Sequence, residues 1–135
     1  MTQHMTVAEW KDASPEISES VEQERLFQWA EGMSVKYPEL VSMYHIPNEG
    51  KRKRSTGARL KRMGLRKGVP DVCLPVARCG CHALYIEMKR LKDGRPTQDQ
   101  LDWIELLTTQ GNMAVVCKGW EVAAELIEKY LNGRL

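Results

Sequence analysis

The sequence predicts an α/β domain in which a mixed sheet is flanked by helices. Three observations carry that expectation. Segments with helical periodicity alternate with short apolar runs. The C-terminal third reads strand, helix, strand, helix, which implies a right-handed parallel crossover, whereas two earlier strands joined by a short glycine-containing turn form an antiparallel pair. Finally, 135 residues, 42% hydrophobic and 28% charged, are enough to enclose one core.

The elements follow in order. Residues 1–18 are polar, with Ser14-Pro15 as a breaker, and are expected to be a frayed tail before a single domain over 19–135. A helix starts at about Ser18 or Ser20, where Ser20 and Gln23 can form a capping box. Phe27, Ala30 and Met33, with Leu26 and Trp29 beside them, give it an apolar side. On that phase Glu24, one turn before Phe27, points along the inner side, and Tyr37-Pro38 ends the element. Residues 42–46 read as a strand stopped by Pro47-Asn48-Glu49-Gly50, and a basic loop comes next. Val72–Val76 and Ala83–Lys89 read as strands joined through Ala77–His82. Lys92–Pro96 is a turn. Thr97 opens a helix with Leu101, Ile104 and Leu107 in a stripe and Trp103 packing nearby, and Gly111 closes it. Met113–Cys117 is a buried strand, and a last helix runs from Trp120 with Val122, Ala123, Leu126, Ile127, Tyr130 and Leu131 on one face. The core order is αβββαβ.

The net charge of +2 conceals an asymmetry. Nine basic residues and no acidic one lie between Lys51 and Lys67: Lys51, Arg52, Lys53, Arg54, Arg59, Lys61, Arg62, Arg66 and Lys67. The other 11 Lys and Arg face all 18 acidic residues, so the remainder is acidic by seven charges. A basic segment on an acidic body is what a polyanion surface needs, and nucleic acid is the expected partner. Interleaved glycine, serine and threonine suit a loop whose backbone approaches phosphates. No aromatic residue lies in the run, so it offers charge without a stacking platform.

Other classes are disfavoured. No apolar run is long enough to span a membrane, and Met1–Ser20 holds no stretch of signal-peptide type, so a soluble, cytoplasmic protein is expected. Its four cysteines are then thiols, with Cys73 and Cys117 as small core hydrophobes. Cys79-Gly80-Cys81-His82 is too short in ligands for a closed zinc site and reads as a tight turn. His45 and His82 have no assigned role.

Chemistry is concentrated in two motifs. Side chains alternate along a strand, so Tyr85, Glu87 and Lys89 share one face while Leu84, Ile86 and Met88 enter the core. If the hairpin forms, Asp71 lies across from the end of that strand. Two carboxylates with a lysine at their edge can bind a hard dication such as Mg²⁺. Such an ion polarises a phosphate and lowers the pKa of water, and a lysine can position that water or neutralise developing charge.

In this context the chain resembles the VRR-NUC branch of the PD-(D/E)XK nucleases. The resemblance runs from about Glu24 to Trp120, through Pro47-Asn48, Gly68-Val69-Pro70-Asp71, Ile86-Glu87-Met88-Lys89, and Gln100 with Trp103. It implies a restriction-endonuclease-like core and an Mg²⁺- or Mn²⁺-dependent endodeoxyribonuclease leaving 5′-phosphate and 3′-hydroxyl ends. Asp71 and Glu87 look like that family's metal ligands, joined by the Met88 backbone carbonyl. Lys89 looks like its catalytic lysine, Gln100 like the glutamine from the following helix, and Glu24 like the first-helix carboxylate. Gln100 is also the N3 partner of Thr97 in a capping box. Standalone members of this length are similar to dimeric nucleases of branched DNA, four-way junctions in particular. A junction resolvase cuts two strands symmetrically, so a two-fold homodimer is expected, with Trp29 a candidate for its face. A flap nuclease, or a non-catalytic nucleic-acid-binding protein, are the alternative readings.

Overall fold

In the computed structural model, which describes residues 17–47 and 54–135, the first helix (α1) spans Glu19–Met33. Ser18 caps it, its hydroxyl accepting from the Val21 amide, so the expected box at Ser20 and Gln23 lies inside the helix. The buried stripe is Glu22, Leu26 and Ala30, spaced i, i+4, i+8. Of the expected apolar side, Leu26 and Ala30 lie on it, and the phase is centred on Leu26 instead of Phe27. Phe27, Trp29 and Met33 are partly buried against the core, and Glu24 is exposed. The sequence is compatible with two helical phases, and packing against the last helix selects between them.

A 3₁₀ turn at Pro38–Ser42 takes up the start of the expected strand, leaving β1 as Tyr44–His45. The basic run is not a loop throughout. It contains helix α2, Arg54–Arg62, for which its Ala, Leu, Arg and Lys residues have good propensity. Gly64, at φ +105°, stops the helix. Its amide bonds the Lys61 carbonyl and the Leu65 amide bonds the Leu60 carbonyl, the paired 5→2 and 6→1 contacts of a glycine-terminated helix. The expected DNA contacts Lys51, Arg52 and Lys53, with Asn48 and the tail over 1–16, lie outside the described residues.

β2 (Val72–Leu74) pairs antiparallel with β1 and with β3 (Leu84–Lys89), in registers Tyr44↔Cys73 and Val72↔Ile86. Between β2 and β3, Cys79 (φ 53°) and Gly80 (φ 73°) make the expected tight turn, closed by the Cys81 amide on the Arg78 carbonyl. Helix α3 (Gln98–Thr109) crosses to β4 (Met113–Lys118), which runs parallel to β3, and α4 (Trp120–Leu131) completes the chain. The sheet order is β1-β2-β3-β4, the mixed sheet expected.

One sheet face, with Val72, Leu74, Leu84, Ile86, Met88 and Cys117, packs against Leu26 and Ala30 of α1 and Ala123, Ile127 and Tyr130 of α4. Burial pushes the Cys117 thiol up to about 11, consistent with a core role. Glu22 is buried in this layer because its Oε2 accepts the Trp120 amide at 2.5 Å. It caps α4 from a distant element where the N-cap residue, Gly119, has no side chain to do so. α3 packs on β4, and the other face of β3 carries the polar residues.

Candidate active site

Asp71 immediately precedes β2, and the register places it across from Glu87. Three contacts hold it there. Its Oδ2 accepts the Met88 amide at 2.9 Å, and its carbonyl accepts from the Ile46 amide (2.7 Å) and His45 Nδ1 (2.8 Å). A carbonyl only accepts, so Nδ1 of His45 carries the proton. The approach to Asp71 is also fixed. Gly68 has φ +90°, and a Cβ there would stand 2.7 Å from the Asp99 carbonyl carbon at the start of α3. Trp103 Nε1 donates to the Lys67 carbonyl at 3.0 Å, so this tryptophan ties the segment before the site to α3.

Glu87 is 1% exposed and Lys89 5% exposed, yet both are charged residue types. Lys89 Nζ lies 3.3 Å from Glu87 Oε1, and the same oxygen accepts Gln100 Nε2 at 2.8 Å. The Gln100 Oε1 accepts the Thr97 amide at 2.8 Å, and the Thr97 hydroxyl caps Gln100 in return. Gln100 thus makes both contacts at once, one end of its amide on the helix cap and the other on Glu87.

Charge at the site is unbalanced. Burial raises both acids. For Asp71 the Met88 amide, the adjoining Glu87 carboxyl, Lys89 and His45 oppose the rise. Glu87 is pushed up to about 8, first by burial and then by the neighbouring Asp71 charge, with Lys89 opposing. Near neutral pH the pair holds a proton. Glu87 Oε2 is buried with no hydrogen-bond partner, a costly state for a carboxylate oxygen. Hard oxygen donors of this kind fit Mg²⁺ or Mn²⁺. No group of three or more His, Cys, Asp or Glu side chains that could hold a metal occurs among the described residues.

Of the expected residues, Asp71, Glu87, Lys89 and Gln100 come together. Met88 buries its side chain in the core and meets Asp71 through its amide. Glu24 faces away on the exposed side of α1. The first-helix carboxylate near the site is Glu19, with Oε1 3.8 Å from Lys89 Nζ. Glu19 lies in phase with the buried stripe, i, i+3, i+7 and i+11 with Glu22, Leu26 and Ala30, and the expected phase, set on Phe27 and Met33, hides it. His45 is without a signal, since β1 is too short to show alternation. Arg59, Lys61, Arg62, Arg66 and Lys67 are exposed on the segment leading to Asp71. Arg54 begins α2.

A family model for the VRR-NUC domain matches residues 9–121. A solved structure described as a VRR_NUC domain protein superposes with a TM-score of 0.75 at 29% identity, covering 87% of this chain and 91% of the other. None of the curated proteins matches. With the fold, the acidic pair and its lysine arranged as the sequence motifs require, the chain belongs to the VRR-NUC family, a family of nuclease type.

Proposed function

We propose that the protein is an Mg²⁺- or Mn²⁺-dependent endodeoxyribonuclease that hydrolyses phosphodiester bonds in branched DNA, four-way junctions foremost, as a two-fold homodimer in the cytoplasm. The observation that carries this reading is the buried Glu87: one oxygen is held by Lys89 and Gln100, and the other is unpartnered beside Asp71.

A divalent cation held by Asp71, Glu87 and the Met88 carbonyl would supply positive charge that polarises the scissile phosphate and acidifies water. Lys89, buried against Glu87, presents its ammonium to the attacking water and to charge developing on the phosphate. Gln100 fixes the Glu87 carboxylate so that it does not rotate away when the substrate arrives. Water oxygen bonds to phosphorus as the bond to the 3′ oxygen breaks, and one proton from the water ends on that oxygen. Arg54, Arg59, Lys61, Arg62, Arg66 and Lys67, with Lys51, Arg52 and Lys53 before them, bind the flanking backbone, which reads shape more than sequence.

The test uses labelled four-way junction, flap and linear duplex with Mg²⁺, Mn²⁺ or chelator. Wild type is expected to cut the junction with either ion and not with chelator. Lys89→Ala and Asp71→Ala should each lose at least about 100-fold in rate. Cleavage that survives either substitution would overturn the assignment, and preferential cutting of the flap would move the substrate to flaps.

A further inference from the structure

We propose that Tyr44 and Tyr85 form a stacking platform for an unpaired nucleobase adjoining the scissile phosphate. The platform rests on the nuclease reading above and adds to it a physical basis for choosing branched over intact DNA.

The register makes the platform. Tyr44 pairs with Cys73, and Cys73 pairs with Tyr85, so the three residues form a row across β1, β2 and β3. Alternation puts this row on the face that carries Asp71, Glu87 and Lys89, opposite the core face with Val72 and Ile86. Tyr85 precedes Glu87 by two residues, about 6.6 Å along the strand, and Tyr44 lies two strands away, about 9.6 Å across. Cys73 between them is 1% exposed, whereas Tyr44 is 48% exposed and Tyr85 half-buried. Helix α3 covers the β4 end of this sheet.

The occupant follows from chemistry and continuity. The basic run holds nine cations and no aromatic residue, so it can hold phosphates but stack no base. The aromatic surface missing there lies beside the acid pair instead. Bases in an intact duplex already stack on one another, and only an unpaired base at a branch, bulge or flap can offer its face to a side chain. Both tyrosine hydroxyls lie against the Cys73 thiol. That contact and then burial for Tyr44, and burial and then that contact for Tyr85, hold both phenols above their ordinary range. The two rings thus converge over Cys73, leaving ring surface to receive the base.

The experiment places 2-aminopurine at the unpaired positions of a flap and of a four-way junction built with unpaired bases at its branch, with a fully paired duplex as the control. Wild type, Tyr44→Phe, Tyr85→Phe, Tyr44→Leu and Tyr85→Leu are compared, with thermal melts to verify folding. Binding is read by fluorescence in chelator, and KM and kcat are read with Mg²⁺. Wild type and the Phe variants are expected to quench the probe. The Leu variants should lose the quench and weaken binding of branched DNA by about tenfold, with kcat within about twofold and duplex binding unchanged. Absence of quenching in wild type, or equal weakening on duplex and branched DNA, would overturn the platform. Because quenching needs no cleavage, a protein that quenches but never cuts keeps the platform and sinks the nuclease reading.

Discussion

Gln100 meets two partners through one amide, the Thr97 backbone and the Glu87 carboxylate, and these can be separated by substitution. Thr97→Ala removes the cap hydroxyl alone and should cost about 1 kcal/mol of stability with activity kept. Gln100→Glu keeps an acceptor for the Thr97 amide but sets a second negative charge against Glu87. It should lose most activity at a smaller cost in melting temperature than Gln100→Ala. Equal activity for Gln100→Glu and wild type would confine Gln100 to capping. Glu87 gives a second prediction at this scale. Its carboxyl keeps its proton up to about 8 in the folded protein, against an ordinary value of 4.5. Between these values the folded state holds a proton that the unfolded chain has lost. The metal-free protein should therefore lose stability as pH rises from about 5 to about 8 and level off above. Asp71 is raised in the same direction. Thermal melts in chelator across this range check it: wild type should fall, Glu87→Gln should fall less and melt higher at pH 8, and a rising wild-type curve would contradict it. At single residues, the sequence is legible where a strand constrains direction. Alternation ties Glu87 to Lys89, whereas Glu19 is told from Glu24 only once the phase of α1 is fixed by Leu26 and Ala30, with which Glu19 is aligned.

At the scale of elements, β2, β3, α3, β4 and α4 are legible because each carries its own start or stop: a capping threonine, a glycine turn, or a buried apolar run. α1 is legible as a helix but not in phase, since its inner stripe includes a buried acid, Glu22, whose partner amide belongs to α4. α2 reads as loop because charge dominates it, and from Thr56 to Arg62 none of its residues is fully buried. That helix makes a specific prediction. Its Arg59, Lys61 and Arg62 are exposed, so replacing all three by Gln preserves helix propensity while removing three candidate phosphate ligands. The slope of log affinity against log salt should flatten by up to about 3, roughly one for each cation removed. An unchanged slope would take α2 off the phosphates. The link between this helix and the site is tested by Gly68→Ala. The added Cβ meets the Asp99 backbone at a φ that disfavours alanine. It should destabilise the fold by about 1–3 kcal/mol and slow cleavage through displacement of Asp71.

Across the whole molecule, charge is divided between a basic segment of nine cations and a remainder acidic by seven. The chain therefore attracts a polyanion at one place and opposes it elsewhere, with the acid pair at the junction of the two. Without a dication, the negative charge that the Asp71–Glu87 pair keeps beside its one proton would repel a phosphate brought to it. A bound dication reverses that sign, so metal and DNA should bind with positive coupling. Linkage requires the effect to be reciprocal: the factor by which Mg²⁺ tightens DNA is the factor by which DNA tightens Mg²⁺. Asp71→Asn with Glu87→Gln removes the repulsion and the dication's donors together. In chelator this double variant should bind branched DNA more tightly than wild type, and added Mg²⁺ should leave its affinity nearly unchanged while tightening wild type several-fold. Titrations of labelled junction at constant ionic strength, with and without Mg²⁺, measure both arms. A wild-type affinity indifferent to Mg²⁺, or a double variant that binds more weakly than wild type in chelator, would mean that the substrate phosphate does not approach the acid pair.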